Sequence, residues 1–415
     1  MSDGLAALIG REGAPEKGTA AEVARLFLRL GFLSFGGPAA HIALMRVEIV
    51  ERRRWIGDRQ FLDLVGAVNL MPGPNSTELG IYLGYLRAGW PGLIAAGVCF
   101  ILPAMSIVLG LAWAYTLSGA VPAVSWLLYG VKPVVVAILV QALWAFGRTM
   151  LKGRAGAAPR TPRAAPIVVA ALALVLYLGG ANNLVLLLDG VAAFVVIRLI
   201  REQRGAPEIA PLGALHGFSA PASLLTGGVA AAGVAAAPVG PGALLLTFLK
   251  IGSVLYGSGY VLLAFLRADL VDHAHWLTMR QLLDAVAVGQ VTPGPVFATA
   301  TFIGYVIGGV PGALAATIGI FLPAFVFVAI LHRVTTVLQR SSWSTTALDG
   351  ATCVSWALMA GVTLQLAGPA LSDGPAIVIA LVAASVLVRW KPNTAWVILA
   401  GALSGLLLHL AAVHY

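Results

Sequence analysis

The chain is 415 residues long, 59% hydrophobic and only 10% charged, where a soluble domain carries about 25% charged residues. A deficit of that size along the whole length excludes a soluble globule and predicts one continuous polytopic membrane domain. The net charge of +9 lies in short loops between apolar runs, which fits the positive-inside rule and not a nucleic-acid partner.

The 48 glycines and 23 prolines are tolerated in membrane helices whose neighbours satisfy the freed backbone groups. Long apolar runs without strand-period alternation argue against a β-barrel. Cys99 and Cys353 each lie inside an apolar run and read as small core residues, with no metal or redox spacing. The first twenty residues are polar and show no cleavable signal peptide.

In chain order, a polar tail (1–20) precedes an apolar segment at about 21–45, interrupted by Gly36-Gly37-Pro38. A mixed-charge stretch runs from Arg46 to Gln60. The segment at about 61–89 is broken by Pro72-Gly73-Pro74. Uninterrupted spans are predicted at about 91–118 and 121–147, with Trp113, Tyr115, Trp126 and Tyr129 suited to an interfacial belt. The loop Arg148–Arg163 carries five basic residues and no acid, the strongest cytoplasmic marker in the chain. Shorter segments follow at about 166–184 and 185–200, then a polar connector, then an unpaired small-residue segment at about 222–237. Six more segments follow at about 241–266, 277–307, 311–332, 346–369, 374–389 and 393–413. Counted as spans they make roughly thirteen.

The second set repeats the first. Phe27, Gly31, Phe35, Gly36, Arg46, Trp55 and Asp63 match Phe248, Gly252, Tyr256, Gly257, Arg267, Trp276 and Asp284 at one constant offset, and Pro72-Gly73-Pro74 matches Pro293-Gly294-Pro295. One residue later in the gap count, Gly84-Tyr85, Pro91-Gly92 and Pro103-Ala104 meet Gly304-Tyr305, Pro311-Gly312 and Pro323-Ala324. Internal symmetry of this kind is common in secondary transporters. The predicted fold is therefore an all-α polytopic membrane protein of two homologous halves, with helices broken at the Pro-Gly-Pro motifs. The layout reads as a cytoplasmic tail (1–20), a first membrane repeat (21–200), a connector with a linking span (201–240) and a second membrane repeat (241–415). Parity over six spans plus one inverts the second half. One loop disagrees: Arg46 to Arg59 holds five arginines and would face outside, unless 61–89 is a re-entrant hairpin.

The motifs point to an anion. Two prolines around a glycine cannot continue a helix, so the freed backbone groups must be buried in protein or line a wet cavity. Asn75-Ser76-Thr77-Glu78 follows at once and resembles a capping box, so a half-helix starting there would present amides and a positive dipole end at mid-membrane. Gly36-Gly37-Pro38 is a second break, where flexible backbone serves either a ligand or a close helix contact. Arg46 and Arg267 match across the repeat and read as oxyanion-contacting or interfacial arginines. Glu78 is an intramembrane acid with no duplicate, a helix cap or a proton carrier. Asp63 and Asp284 are duplicated, and either carry protons or pair with Arg46, Arg59, Arg267 or Arg280. His41 reads as a packed, hydrogen-bonded residue, and His273 and His275 as solvated. No phosphate loop or nucleophile elbow is present, so neither direct ATP drive nor an enzyme is expected.

Taken together, Phe32–Pro38, Arg46, the Trp55 region, Met71–Glu78 running into Gly80–Tyr85, and the second Pro-Gly-Pro resemble the chromate ion transporter family in its long two-domain form. The resemblance covers nearly the whole chain. It implies a multi-pass transporter exporting chromate across the inner membrane, driven by the proton gradient, with sulfate as structural analogue and no cofactor. It maps the family's motif residues onto Phe35, Gly36, Gly37, Pro38, Arg46, Pro72, Gly73, Pro74, Asn75 and Glu78. Ser76, Thr77, Arg267, Pro293, Gly294 and Pro295 join these as candidate substrate contacts, and Glu78, Asp63 and Asp284 as candidate proton carriers. The second half has Val296 and Thr299 where Asn75 and Glu78 stand, so the halves are expected to differ in work. A sulfate or other oxyanion permease or antiporter and an anion channel are the rival readings, and oligomeric state, a homodimer included, stays open.

Overall fold

The computed structural model describes residues 18–69, 71–117, 122–152, 164–204, 239–257, 259–340, 342–390 and 392–413. The linking span expected at 222–237, most of the Arg148–Arg163 loop and most of the N-terminal tail lie outside them. Among the described residues the structure is helical throughout. Five helices are long and apolar enough to cross a membrane, and four shorter apolar helices accompany them. Large apolar side chains at Trp90, Ile94, Val98 and Leu102, one helical turn apart, are exposed, as are Val310, Leu314, Ile318 and Leu322 at matching positions. Such stripes suit lipid as solvent, and the protein is a multi-pass membrane protein.

The first half opens with α1 (Ala20–Leu33), α2 (Pro38–Arg46, extended by a π-turn over Val47–Arg52), α3 (Asp58–Val68) and α4 (Asn75–Leu117). A non-helical pair, Ala88 and Gly89, folds α4 into a short arm (75–87) and a long arm (90–117). The arms close tightly, because a Cβ on Gly84 or Gly92 would strike the other's backbone. α1, α2, α3 and the short arm are each about half a bilayer long. Their outer ends meet at one face. The Gly18 amide donates to the Arg87 carbonyl at 2.9 Å, Arg87 and Arg53 lie 3.1 and 3.8 Å from Glu22, and both guanidiniums cover the Trp55 ring. So α1–α2 and α3–short arm are two hairpins that enter and leave on the same side. Segments 21–45 and 61–89 are therefore not spans, and the count of thirteen is too high. The Arg46–Arg59 stretch lies at the face from which the chain enters, which removes its conflict with the positive-inside rule. A 29-residue apolar run with a break in it has the hydropathy of a span whether or not it turns back.

The second half repeats this with α8 (Pro241–Val254), α9 (Leu262–Leu266, continued by a π-turn over Arg267–His273), α10 (Met279–Val291) and α11 (Thr299–Arg340), the last bent at Gly308-Gly309. Arg54 and His275 stand at matching positions and are the described non-glycine residues with left-handed backbone. The entrance of these hairpins is at the opposite face. The long arm of α4 starts beside Arg87 and ends near Tyr115, whose hydroxyl donates to Asp284 near the start of α10 at 3.0 Å. The two halves are thus inverted relative to one another.

The remaining helices interlock the halves. They are α5 (Pro122–Lys152), α6 (Ala165–Leu178), α7 (Asn183–Arg204), α12 (Ser342–Ala370), α13 (Gly374–Arg389) and α14 (Thr394–Val413). α5 packs on α13 and α14, and α12 packs on α6 and α7. Glycines make both contacts possible: a Cβ on Gly130 would strike Gly401, and one on Gly350 would strike Gly190. Tyr129 and Asp373 bond at one face. Arg198 reaches Thr346 at 3.0 Å and stacks on Trp343 at the other.

Candidate functional site

Four helix interruptions meet in the middle of the molecule. Each is opened by a glycine in the left-handed region: Gly36 (φ 100°) and Gly37 (φ 83°), Gly73 (φ 131°), Gly257 (φ 103°) and Gly294 (φ 95°). Only glycine holds these angles without strain. The interruptions exchange backbone hydrogen bonds between halves. The Gly73 amide donates to the Leu255 carbonyl at 2.7 Å, and the Gly294 amide donates to the Ser34 carbonyl at 2.7 Å. Leu255 and Gly294 are the repeat counterparts of Ser34 and Gly73, so one contact is made twice. Tyr256 adds a bond from its hydroxyl to the Asn69 carbonyl at 2.8 Å, and its own carbonyl accepts from Ser355 at 2.7 Å.

The sequence-predicted residues fall into three groups. Phe35, Gly36, Gly37, Pro38, Pro72, Gly73, Pro74, Asn75, Ser76, Thr77 and Glu78 lie at the first-half interruptions, and Pro293, Gly294 and Pro295 at the second-half one. α2 begins cleanly at Pro38 after Gly37, and α4 begins at Asn75, with the Thr77 and Glu78 amides returning to the Pro74 carbonyl. Both starts turn their first-turn amides toward the interruptions: Ala40 and His41 donate to the Gly37 carbonyl as Thr77 and Glu78 do to that of Pro74. In the second half the corresponding starts are 3₁₀ turns, Gly259–Val261 and Val296–Ala298.

The expected capping box at Asn75 does not form. The Asn75 amide group donates to Asn69 Oδ1 at 2.6 Å, and the Glu78 carboxylate folds back over Gly73, where a Cβ would collide with Oε1. Glu78 is fully buried and neither oxygen has a hydrogen-bond partner among the described residues. Ser34 Oγ, His41 Nε2 and Thr77 Oγ1 are likewise buried without one. His41 packs as expected, with Nδ1 3.2 Å from Ser76 Oγ. Buried polar atoms are rarely left unpaired, so this cluster can accommodate a polar occupant.

The second group is not brought to the interruptions. Arg46 sits at the far end of α2, half-exposed, bonded to Asp58 and Glu51 at 2.7 Å each. Arg267 lies at the corresponding end of α9 with Asp272 at 3.3 Å.

The third group is the duplicated acids, which have diverged. Asp63 is exposed and has no ion pair among the described residues. Asp284 is buried, and its cation is none of the four arginines proposed for it but Lys132, at 2.9 Å. Lys132 was missed. A lysine inside the apolar run 121–147 is itself a signal, because a charge within a span is costly unless paired or functional.

Known proteins resemble this chain along most of its length. A family model described as chromate transporter matches residues 21–197 and 242–406. A chromate transport protein of Cupriavidus metallidurans is 32% identical over 397 residues, covering 92% of each chain. A probable chromate transport protein of Synechococcus elongatus is 31% identical over 376 residues, 89% of this chain and 90% of its own. A chromate transport protein of Pseudomonas aeruginosa is 31% identical over 389 residues, 91% of this chain and 90% of its own. No solved structure matches.

Proposed function

The chain belongs to the chromate transporter family, and on that premise we propose that it is a secondary active transporter exporting chromate across the cell inner membrane, driven by the proton gradient. The observation that carries this reading is the meeting of four interrupted helices at one central point, where inverted halves exchange the bonds Gly73–Leu255 and Gly294–Ser34. Half-helix starts at Pro38 and Asn75 direct amides and positive dipole ends there, which favours a tetrahedral dianion. Gly36, Gly37, Pro38, Pro72–Thr77 and Pro293–Pro295 line the proposed route, with Phe35 beside it. Arg46 and Arg267, each at the outer end of a hairpin, serve as access residues on opposite faces.

Glu78 is the first proton carrier in this scheme. A carboxylate buried without a partner takes up a proton in preference to standing as a bare charge. Asp63 and Asp284 are the further candidates. The face holding Arg46–Arg59, Arg87, Arg148 and Arg198 is assigned to the cytoplasm by its arginines. The same scheme keeps a tail at 1–20, repeats at 21–200 and 241–415, and a linking span within 201–240. Sulfate has the same shape and charge as chromate, and so stands as competitor or alternative substrate.

Everted membrane vesicles loaded by a proton gradient test the reading. Labelled chromate should accumulate, an uncoupler should abolish accumulation, and excess sulfate should compete. Accumulation indifferent to the uncoupler contradicts proton drive, and equilibration without accumulation replaces the transporter with a channel.

A further inference from the structure

A tetrahedral dianion crossing a membrane needs a cation along its way, and the duplicated arginines stand at the outer ends of their hairpins, away from the central interruptions. Arg46 is held by two carboxylates, while Arg267 has Asp272 at 3.3 Å and keeps its buried Nε and Nη1 without a hydrogen-bond partner among the described residues. Lys132 is different. It stands ten residues inside α5, with its side chain 16% exposed and its ammonium 2.9 Å from Asp284, whose side chain is 4% exposed. Tyr115 donates its hydroxyl to the other carboxylate oxygen at 3.0 Å. The pair joins the halves: Lys132 and Tyr115 come from the first, and Asp284 from the second-half hairpin that leads to Pro293-Gly294-Pro295.

The repeat itself does not require this pair, because the counterpart Asp63 is exposed and has no such partner among the described residues. Pro133 follows Lys132 within the helix and removes the backbone bond to the Tyr129 carbonyl, which loosens the helix beside the lysine. An ammonium on a four-carbon stem is a mobile point charge with three donors. Arg280, exposed on the first turn of α10, adds a second positive charge toward the same face. One carboxylate offers Lys132 a single negative charge, whereas chromate or sulfate offers two.

We propose that Lys132 is an oxyanion-binding residue held in reserve by Asp284, and that a tetrahedral dianion displaces this carboxylate as it passes between the central interruptions and the face of Tyr115. Asp284 is then a built-in competitor, left bonded to Tyr115 when Lys132 turns to the substrate. The proposal rests on the oxyanion-transport reading and assigns that route its cation.

The two readings of the pair differ in sign. A purely structural ion pair suffers alike from loss of either partner. A competitor, once removed, leaves a tighter site. The test uses everted vesicles containing the full chain, with labelled chromate as probe at a pH where it is a dianion, and protein levels matched by immunoblot. Asp284→Asn should lower the KM for chromate on the order of tenfold, and Lys132→Met should raise it by a similar factor, the worth of about one charge contact. The double variant Lys132→Met/Asp284→Asn, which buries no lone charge, should show the KM of Lys132→Met, because Asp284 affects the KM only through Lys132. It also keeps the test decisive if Asp284→Asn does not reach the membrane. A raised KM in Asp284→Asn, or an unaltered KM in the double variant, overturns the proposal while wild-type transport stands. Wild-type vesicles that move neither chromate nor sulfate overturn the parent reading and this one with it.

Discussion

The two sets of hairpins share a backbone and differ in setting. In the second half, Tyr260 through Leu266 and Thr292 through Ala298 are buried, wrapped by α12 and by the large apolar cluster that unites both halves. In the first half, Phe35, Gly36, Pro38, Pro72 and Asn75 remain partly exposed. The first-half interruptions open on clean helix starts with Glu78, Thr77 Oγ1, Ser34 Oγ and His41 Nε2 lacking a hydrogen-bond partner among the described residues, whereas at the second-half interruption Thr299 bonds the Val296 carbonyl at 2.8 Å and Gln290 Nε2 is the buried atom left without one. The comparison teaches that duplication preserved the frame, while polar chemistry was kept on the first-half tips and a paired charge, Lys132–Asp284, was buried behind the second-half ones.

The all-or-none way to break this comparison is topological. Arg54 and His275 occupy the same place in the repeat, at opposite faces. With Cys99 and Cys353 replaced by alanine, Arg54→Cys and His275→Cys should label with an impermeant thiol reagent from opposite sides of sealed vesicles. Labelling from one side would end the inverted arrangement.

Next in size are the interruption glycines. Alanine at a left-handed position costs about 1–3 kcal/mol in strain. At Gly73 the new methyl meets a movable side chain, Glu78, whereas at Gly294 it lies 2.8 Å from the Ala104 Cβ. Gly73→Ala should therefore assemble and lose chromate uptake, and Gly294→Ala should lose monodisperse protein on detergent extraction. The reverse pattern would assign the open tip to the wrong half.

The smallest effect concerns a seam between halves. Asp373 caps α13 by accepting from the Ala376 amide at 2.9 Å, and accepts the Tyr129 hydroxyl as well. The Tyr129 bond, then the Ala376 bond, hold its carboxyl below the usual carboxylate range. Its contribution is complete above the ordinary carboxylate range and is lost as pH falls through the lowered value. Asp373→Ala should cost about 1 kcal/mol near neutrality. In thermal unfolding measured across pH, the gap between variant and wild type should close in acid.

Much of the fold was legible because the repeat is exact in spacing. The constant offset from Phe27/Phe248 to Pro74/Pro295 marks all four interruptions in the sequence. The turning back of the hairpins was not legible, since hydropathy measures length and not direction. It took the meeting of Gly18 with Arg87 to show it. Glu78 was readable as an isolated acid, but its fold-back over Gly73 depends on a φ angle that no pattern prints. Lys132 and Asp284 are far apart in sequence and belong to different halves, so Asp284 was readable as a duplicated acid but its pairing with Lys132 was not.

The central claim is that first-half chemistry drives transport through a symmetric frame. Its most direct measurement is gradient-driven uptake of labelled chromate into everted vesicles by Glu78→Gln and by Thr299→Val, at matched protein levels. The account predicts that Glu78→Gln loses accumulation and that Thr299→Val, which gives up one hydroxyl hydrogen bond to the Val296 carbonyl worth about 1 kcal/mol, retains most of it. Equal losses, or normal accumulation by Glu78→Gln, would contradict it.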